Sequence, residues 1–178
     1  MKIFVRFGHS KKFVGSSGFL DEVTVIRQYA PWVAQILYSA GHEVMTFNPD
    51  TISESYPDSD AELMAGINAA KAWGAVLFVS CHANAAGGTG TEVLVRSTDT
   101  LGKAIGTKVN TNVSSLLGLN NRGLKHPTNK GELNYTTNMS AIILEPFFVD
   151  NQTDCNAYNS TGGESLGRTI ANAILQSI

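Results

Sequence analysis

The chain is poor in several things, and each shortage excludes a class of protein. Only two of its 178 residues are cysteine, Cys81 and Cys155, so no disulfide framework holds it and free thiols are expected. Charged residues make up 16% of the chain, and 13 basic against 15 acidic side chains leave a net charge of -2. That balance gives no electrostatic reason to bind nucleic acid. No apolar run approaches the roughly 18 residues that span a bilayer, so membrane insertion is not expected. The opening "MKIFVRFGHS" is interrupted by Arg6 and His9 too soon for a secretory signal. Proline is scarce, at five residues, and no repeat, low-complexity tract or linker interrupts the pattern. One domain over residues 1–178 is expected, large enough to bury a sizeable core.

What is present alternates between strand and helix patterns. "KIFVRF" (2–7), "HEVMTFN" (42–48), "AVLFVSCH" (75–82), "TEVLVR" (91–96) and "AIILEPFF" (141–148) read as strands. A sixth, short strand is possible at "RGLKH" (122–126), within an otherwise irregular 119–139 segment rich in Asn, Gly and Thr. Helices are expected over about 21–40, 59–73, 98–117 and 163–177, with Gly41, Gly74 and Gly118 as stops. Ser59 and Glu62 have capping-box spacing at the start of the second helix. Pro31 should kink or split the first, at a cost of about 3 kcal/mol unless packing compensates. The expected fold class is α/β: one largely parallel, twisted sheet of about six strands with helices on both faces.

In open parallel sheets, sites form outside the carboxyl ends of the strands. His9 lies two residues past the first strand, His82 ends the third, and Glu145 follows the apolar "AIIL" run. Glu22, in the opening turn of the first helix, reaches the same rim. Two histidines and a carboxylate are the ligand set of an open catalytic zinc site, and a further carboxylate beside it can serve as general base. Each residue also has an ordinary reading. His82 could end a strand on a backbone carbonyl, His9 could be a loop residue, and Glu22 could complement the helix dipole. Glu145 is the hardest to explain as structure, because a carboxylate in so apolar a run is costly to bury without a partner. Cys81 has the opposite strand parity to His82 and should face the core.

The stretches "GHS" (8–10), "DEVTVIRQYAPWVAQIL" (21–37), "VSCHANA" (79–85), "GTGTEVLV" (88–95), "NRGLK" (121–125) and "ILEPFFVDN" (143–151) span nearly the whole chain. In this set and order the chain resembles the zinc-dependent N-acetylmuramoyl-L-alanine amidases of type 3, most of all the catalytic domains of clostridial phage endolysins. The resemblance implies zinc (Zn2+) as cofactor, with His9, Glu22 and His82 as its ligands and Glu145 as the catalytic carboxylate. It implies bacterial peptidoglycan as the partner, a monomeric catalytic domain, and synthesis in the cytoplasm followed by action on the cell wall, as a phage lysin or a secreted autolysin. Asn84, Glu92 and His126 are candidates for substrate contact or for support of the ligands. At "GHSKK" the chain departs from the glycine-rich "GHGG" loop commoner in the family.

Two rival functions are open at this stage. A zinc peptidase or carboxypeptidase could use the same ligand types, and a carboxypeptidase would need an arginine for the terminal carboxylate, for which Arg122 is the candidate. A wall-binding module without activity would need neither zinc nor Glu145.

Overall fold

A computed structural model describes residues 1–51 and 55–178. Six strands form one sheet in the order β2-β1-β3-β6-β4-β5. They are β1 (Lys2–Phe7), β2 (Glu43–Phe47), β3 (Leu77–Cys81), β4 (Thr91–Val95), β5 (Asn121–Lys125) and β6 (Ser140–Glu145). The first three strands and β6 run parallel. β4 is antiparallel to β6 and parallel to β5, so these last two strands run against the others. The α/β architecture is therefore as expected, with a reversed pair at one edge.

Alternation along the strands divides the core in two. Ile3, Val5 and Phe7, with Leu77, Val79, Cys81, Ile142 and Leu144, face a layer built by α1 (Glu22–Ser39), α3 (Thr100–Leu117), α5 (Gln152–Thr161) and α6 (Gly163–Leu175). Phe4, Phe78, Leu94 and Ile143 face the other layer, made by α2 (Ser59–Trp73) and the single turn α4 (Gly131–Asn134). Phe4 and Phe78 stack there with ring centroids 5.6 Å apart. Among the described residues no helix is long and apolar enough to cross a membrane.

Several local expectations need correcting. Pro31 does not split α1, which is continuous over Glu22–Ser39. The proline sits on the exposed side, where the carbonyl deprived of its N–H can be hydrated, while Ala30, Val33, Ala34 and Leu37 pack inward. The α2 cap is Asp58 rather than Ser59: its carboxylate accepts from Ala61 N at 2.8 Å, and Ser59 is already helical. Glu62, the supposed other half of that box, is buried. α3 starts two residues later than expected, capped by Asp99, whose carboxylate accepts from Gly102 N at 2.8 Å. The 119–139 segment is less irregular than its composition suggests, because it contains both β5 and α4. α5 was not anticipated; it is short, polar and capped by Asn151.

Candidate metal centre and its cleft

The parity that splits the core also assembles the site. Arg6, Ser80, Glu92 and Glu145 share the strand face of Phe4 and Phe78, and His82 continues it one residue beyond β3. The backbone N–H of His82 donates to Leu144 O at 3.1 Å, which extends the β3–β6 ladder to the histidine itself. The carbonyl of His82 accepts from the buried Tyr29 hydroxyl at 2.8 Å.

Glu22 belongs to the opposite layer, but as the first residue of α1 it reaches over the rim. Its Oε1 lies 3.0 Å from His82 Nδ1 and 3.4 Å from His9 Nε2, and accepts from Ala83 N at 3.1 Å. Its Oε2 accepts from Ser16 N at 2.8 Å. The rings of His9 and His82 meet edge to face, with centroids 4.9 Å apart. One ligand atom from each of His9, Glu22 and His82 can be chosen so that all lie within 4.8 Å of one another.

The loop that delivers His9 is held in an unusual conformation. His9 has φ 55°, in the left-handed region that non-glycine residues seldom occupy. Arg27 on α1 supports it, donating to Gly8 O at 3.1 Å and to His9 O at 2.6 Å. The guanidinium is itself fixed by Asp50, whose other oxygen accepts from Lys11 N. Across the loop, Gly15 leaves room for these side chains: a Cβ there would lie 2.6 Å from His9 Cδ2 and would collide with Glu22 Oε2.

These residues open onto a cleft of about 330 Å³ lined by His9, Glu22, His82, Asn84, Glu132 and Glu145, among others. Burial raises the Glu145 carboxyl to about 8, against a smaller opposing pull from His82. Among the described residues, its Oε2 is buried without a hydrogen-bond partner. For His82, burial works to lower the pKa, but the carboxylates of Glu132 and Glu22 on either side outweigh it and lift it to about 10. Burial would raise Glu22, yet its bonds to the two histidines hold it far below the usual carboxylate range. A buried anion shared by two imidazoles, facing a carboxyl with an unsatisfied oxygen, is what a divalent cation would neutralise and complete. The donor set thus fits zinc.

The remaining candidates take different places. Asn84 lines the cleft and donates to Glu92 Oε1 at 2.7 Å. Glu92 pairs in register with Glu145, but its second oxygen accepts from Arg122 Nε at 2.7 Å. Both carboxylate oxygens are therefore engaged in shaping the wall. His126 is not among the cleft residues; its Nδ1 donates to Val95 O at 2.8 Å. Cys81 is fully buried, and desolvation pushes its thiol up to about 12. The residue that sequence reasoning passed over is Glu132, whose Oε1 sits 3.2 Å from His82 Nε2.

A profile described as N-acetylmuramoyl-L-alanine amidase matches residues 3–176. An uncharacterized protein of Clostridium perfringens is 32% identical over 98% of this chain and 51% of its own length. The N-acetylmuramoyl-L-alanine amidase CwlM of Bacillus licheniformis is 29% identical over 98% of this chain and 67% of its own. Among solved structures, the catalytic domain of the CD27L endolysin targeting Clostridia difficile superimposes with a TM-score of 0.86 at 26% identity, covering 99% of this chain and 98% of that one. The chain spans about half the length of the two Clostridium perfringens relatives it matches. It belongs to the N-acetylmuramoyl-L-alanine amidase family.

Proposed function

We propose that this family member is the catalytic domain of a peptidoglycan hydrolase, cleaving the amide between the lactyl group of N-acetylmuramic acid and the L-alanine of the stem peptide. The observation that carries the reading is one rim on which His9, Glu22 and His82 converge within 4.8 Å and share a cleft with the buried Glu145, whose Oε2 has no hydrogen-bond partner among the described residues. His9, Glu22 and His82 would hold zinc. When bound, zinc lowers the pKa of water towards roughly 7 and polarises the scissile carbonyl.

Glu145 is the proton carrier. Burial favours its neutral form, and a cation held opposite would draw it back towards the carboxylate. As carboxylate it takes a proton from the attacking water; as acid it returns that proton to the departing alanine nitrogen. Asn84, set beside Glu92, offers a fixed amide for the polar glycopeptide. The carboxypeptidase alternative loses support, since Arg122 is occupied by Glu92 and stacks on Phe148 at 5.0 Å. A domain of this kind acts on the cell wall after release, whether as a lysin or an autolysin.

Digestion of purified peptidoglycan tests the reading. The expected products carry new alanine amino termini with no new reducing sugars. New reducing ends, or new amino termini other than alanine, would overturn it.

A further inference from the structure

His82 has two ring nitrogens, and the structure surrounds them differently. Nδ1 faces Glu22 Oε1 at 3.0 Å, the same oxygen that lies 3.4 Å from His9 Nε2. Nδ1 is therefore the nitrogen turned to the ligand cluster. Nε2 is buried, and among the described residues it makes no aligned hydrogen bond; the Glu132 carboxylate lies 3.2 Å from it, at ion-pair distance. Resting on the zinc reading above, we propose that Glu132 is a positioning residue for the metal centre: it takes the Nε2–H of His82, fixes the tautomer, and so commits Nδ1 to the cation.

Three observations support this role. Glu132 is itself held, because Arg6 Nη1 stands 3.7 Å from its Oε1, and Arg6 is buried on β1 with a 3.4 Å bond to Ser80 Oγ. The turn that carries Glu132 is anchored too: Leu133 is fully buried, and Arg96 donates to Leu133 O at 2.8 Å. Finally, the carboxylate has no competing task as a cap, since α4 starts at Gly131 with no side-chain cap. A negative charge behind an imidazole raises its basicity towards any cation on the far nitrogen. A divalent ion, with twice the charge of a proton, gains more from it.

The test measures zinc affinity of the metal-free full chain by competition with a chromophoric chelator, in the parent and in Glu132→Gln, Glu132→Leu and His82→Ala. The parent should bind one zinc, and His82→Ala should lose it. Glu132→Leu should weaken zinc binding about 10- to 100-fold, the usual effect of removing such a support, and Glu132→Gln, which keeps an acceptor oxygen without charge, should fall between. Thermal unfolding of the metal-free variants checks that the fold is retained. If Glu132→Leu does not fold, Glu132→Gln carries the comparison together with nitrogen-15 spectra of the zinc-loaded histidines. Those spectra should show zinc on Nδ1 of His82 and a slowly exchanging Nε2–H in the parent, exchanging faster in Glu132→Gln. Parent-like zinc affinity in the Glu132 variants, or zinc on Nε2, would overturn the proposal while leaving the zinc site standing. A parent and His82→Ala that bind zinc alike would instead overturn the zinc site.

Discussion

Glu145→Gln should make the metal-free protein more stable, and by an amount that depends on pH. In the folded chain the carboxyl titrates near 8, against 4.5 when solvated, because burial opposes its ionisation. Below pH 4.5 both folded and unfolded chains carry the proton, and nothing is lost. Between 4.5 and 8 the unfolded chain ionises while the folded one resists, so stability falls as pH rises and then levels off. A tenfold difference in acidity between the two states corresponds to about 1.4 kcal/mol, so the full penalty is roughly 3–5 kcal/mol above pH 8 and about 3 kcal/mol at pH 7. Glutamine has the shape of the protonated acid and cannot ionise, so it escapes this loss. For a domain of this size, about 3 kcal/mol moves Tm by roughly 6–12 °C. Thermal unfolding of parent and variant in a metal chelator, from pH 4.5 to 8.5, measures the difference directly. The gap should be near zero at the acid end and widen to a plateau. A gap independent of pH, or a variant less stable than the parent at pH 8, would refute the reasoning. Zinc should shrink the gap, since a nearby cation stabilises the ionised form, and the same variant should lose about 10²–10⁴-fold in turnover.

Gly15→Ala should displace the Glu22 carboxylate that its methyl would strike, and lower zinc content as measured by elemental analysis; unchanged zinc would show that the loop yields freely. Arg27→Lys should weaken zinc binding despite conserving charge, because one ammonium cannot hold Gly8 O, His9 O and Asp50 together; parent-like zinc affinity would refute this. Cys81 should resist thiol reagents in the native protein and react only on unfolding, since its thiol is fully buried and its pKa is raised to about 12; rapid native labelling with loss of activity would contradict that.

How far the sequence reveals this site depends on what carries each residue. His82 follows β3 and Glu145 ends β6, two central and largely apolar strands, so topology alone sets them on one rim. Glu22 is legible because a helix opening beside that rim has nowhere else to direct its first turn. Glu132 is not legible in this way: it rides on a single helical turn inside a stretch with no hydrophobic period, and only tertiary packing brings it to His82. Arg27 and Asp50 meet across 23 residues of sequence that announce no pairing. The reversal of β4 also escapes a strand-by-strand reading, because an apolar run gives no direction. That reversal explains why Glu92, near the start of its strand, stands opposite Glu145 at the end of its own.

The same reversal decides how the 83–90 segment can vary. β6 lies between β3 and β4, and since β4 runs backwards, the connection leaves and rejoins the sheet at the same edge. It passes over the end of β6, where Asn84 pairs with Phe148, and five further residues are tied to the chain after Glu145. Asp150 holds Ala86 and Gly87, Asn151 holds Gly88, and Asp154 holds Thr89 and Gly90. The arch is thus fastened rather than free: Ala83 belongs to the core and its N–H donates to Glu22, while Thr89 and Gly90 satisfy the fully buried Asp154 carboxylate on α5. Replacing it whole would strip a buried charge of partners, at a cost to folding. Variation is cheap only at the exposed tip, Ala86 and Gly87, whose sole tether among the described residues is the surface carboxylate of Asp150.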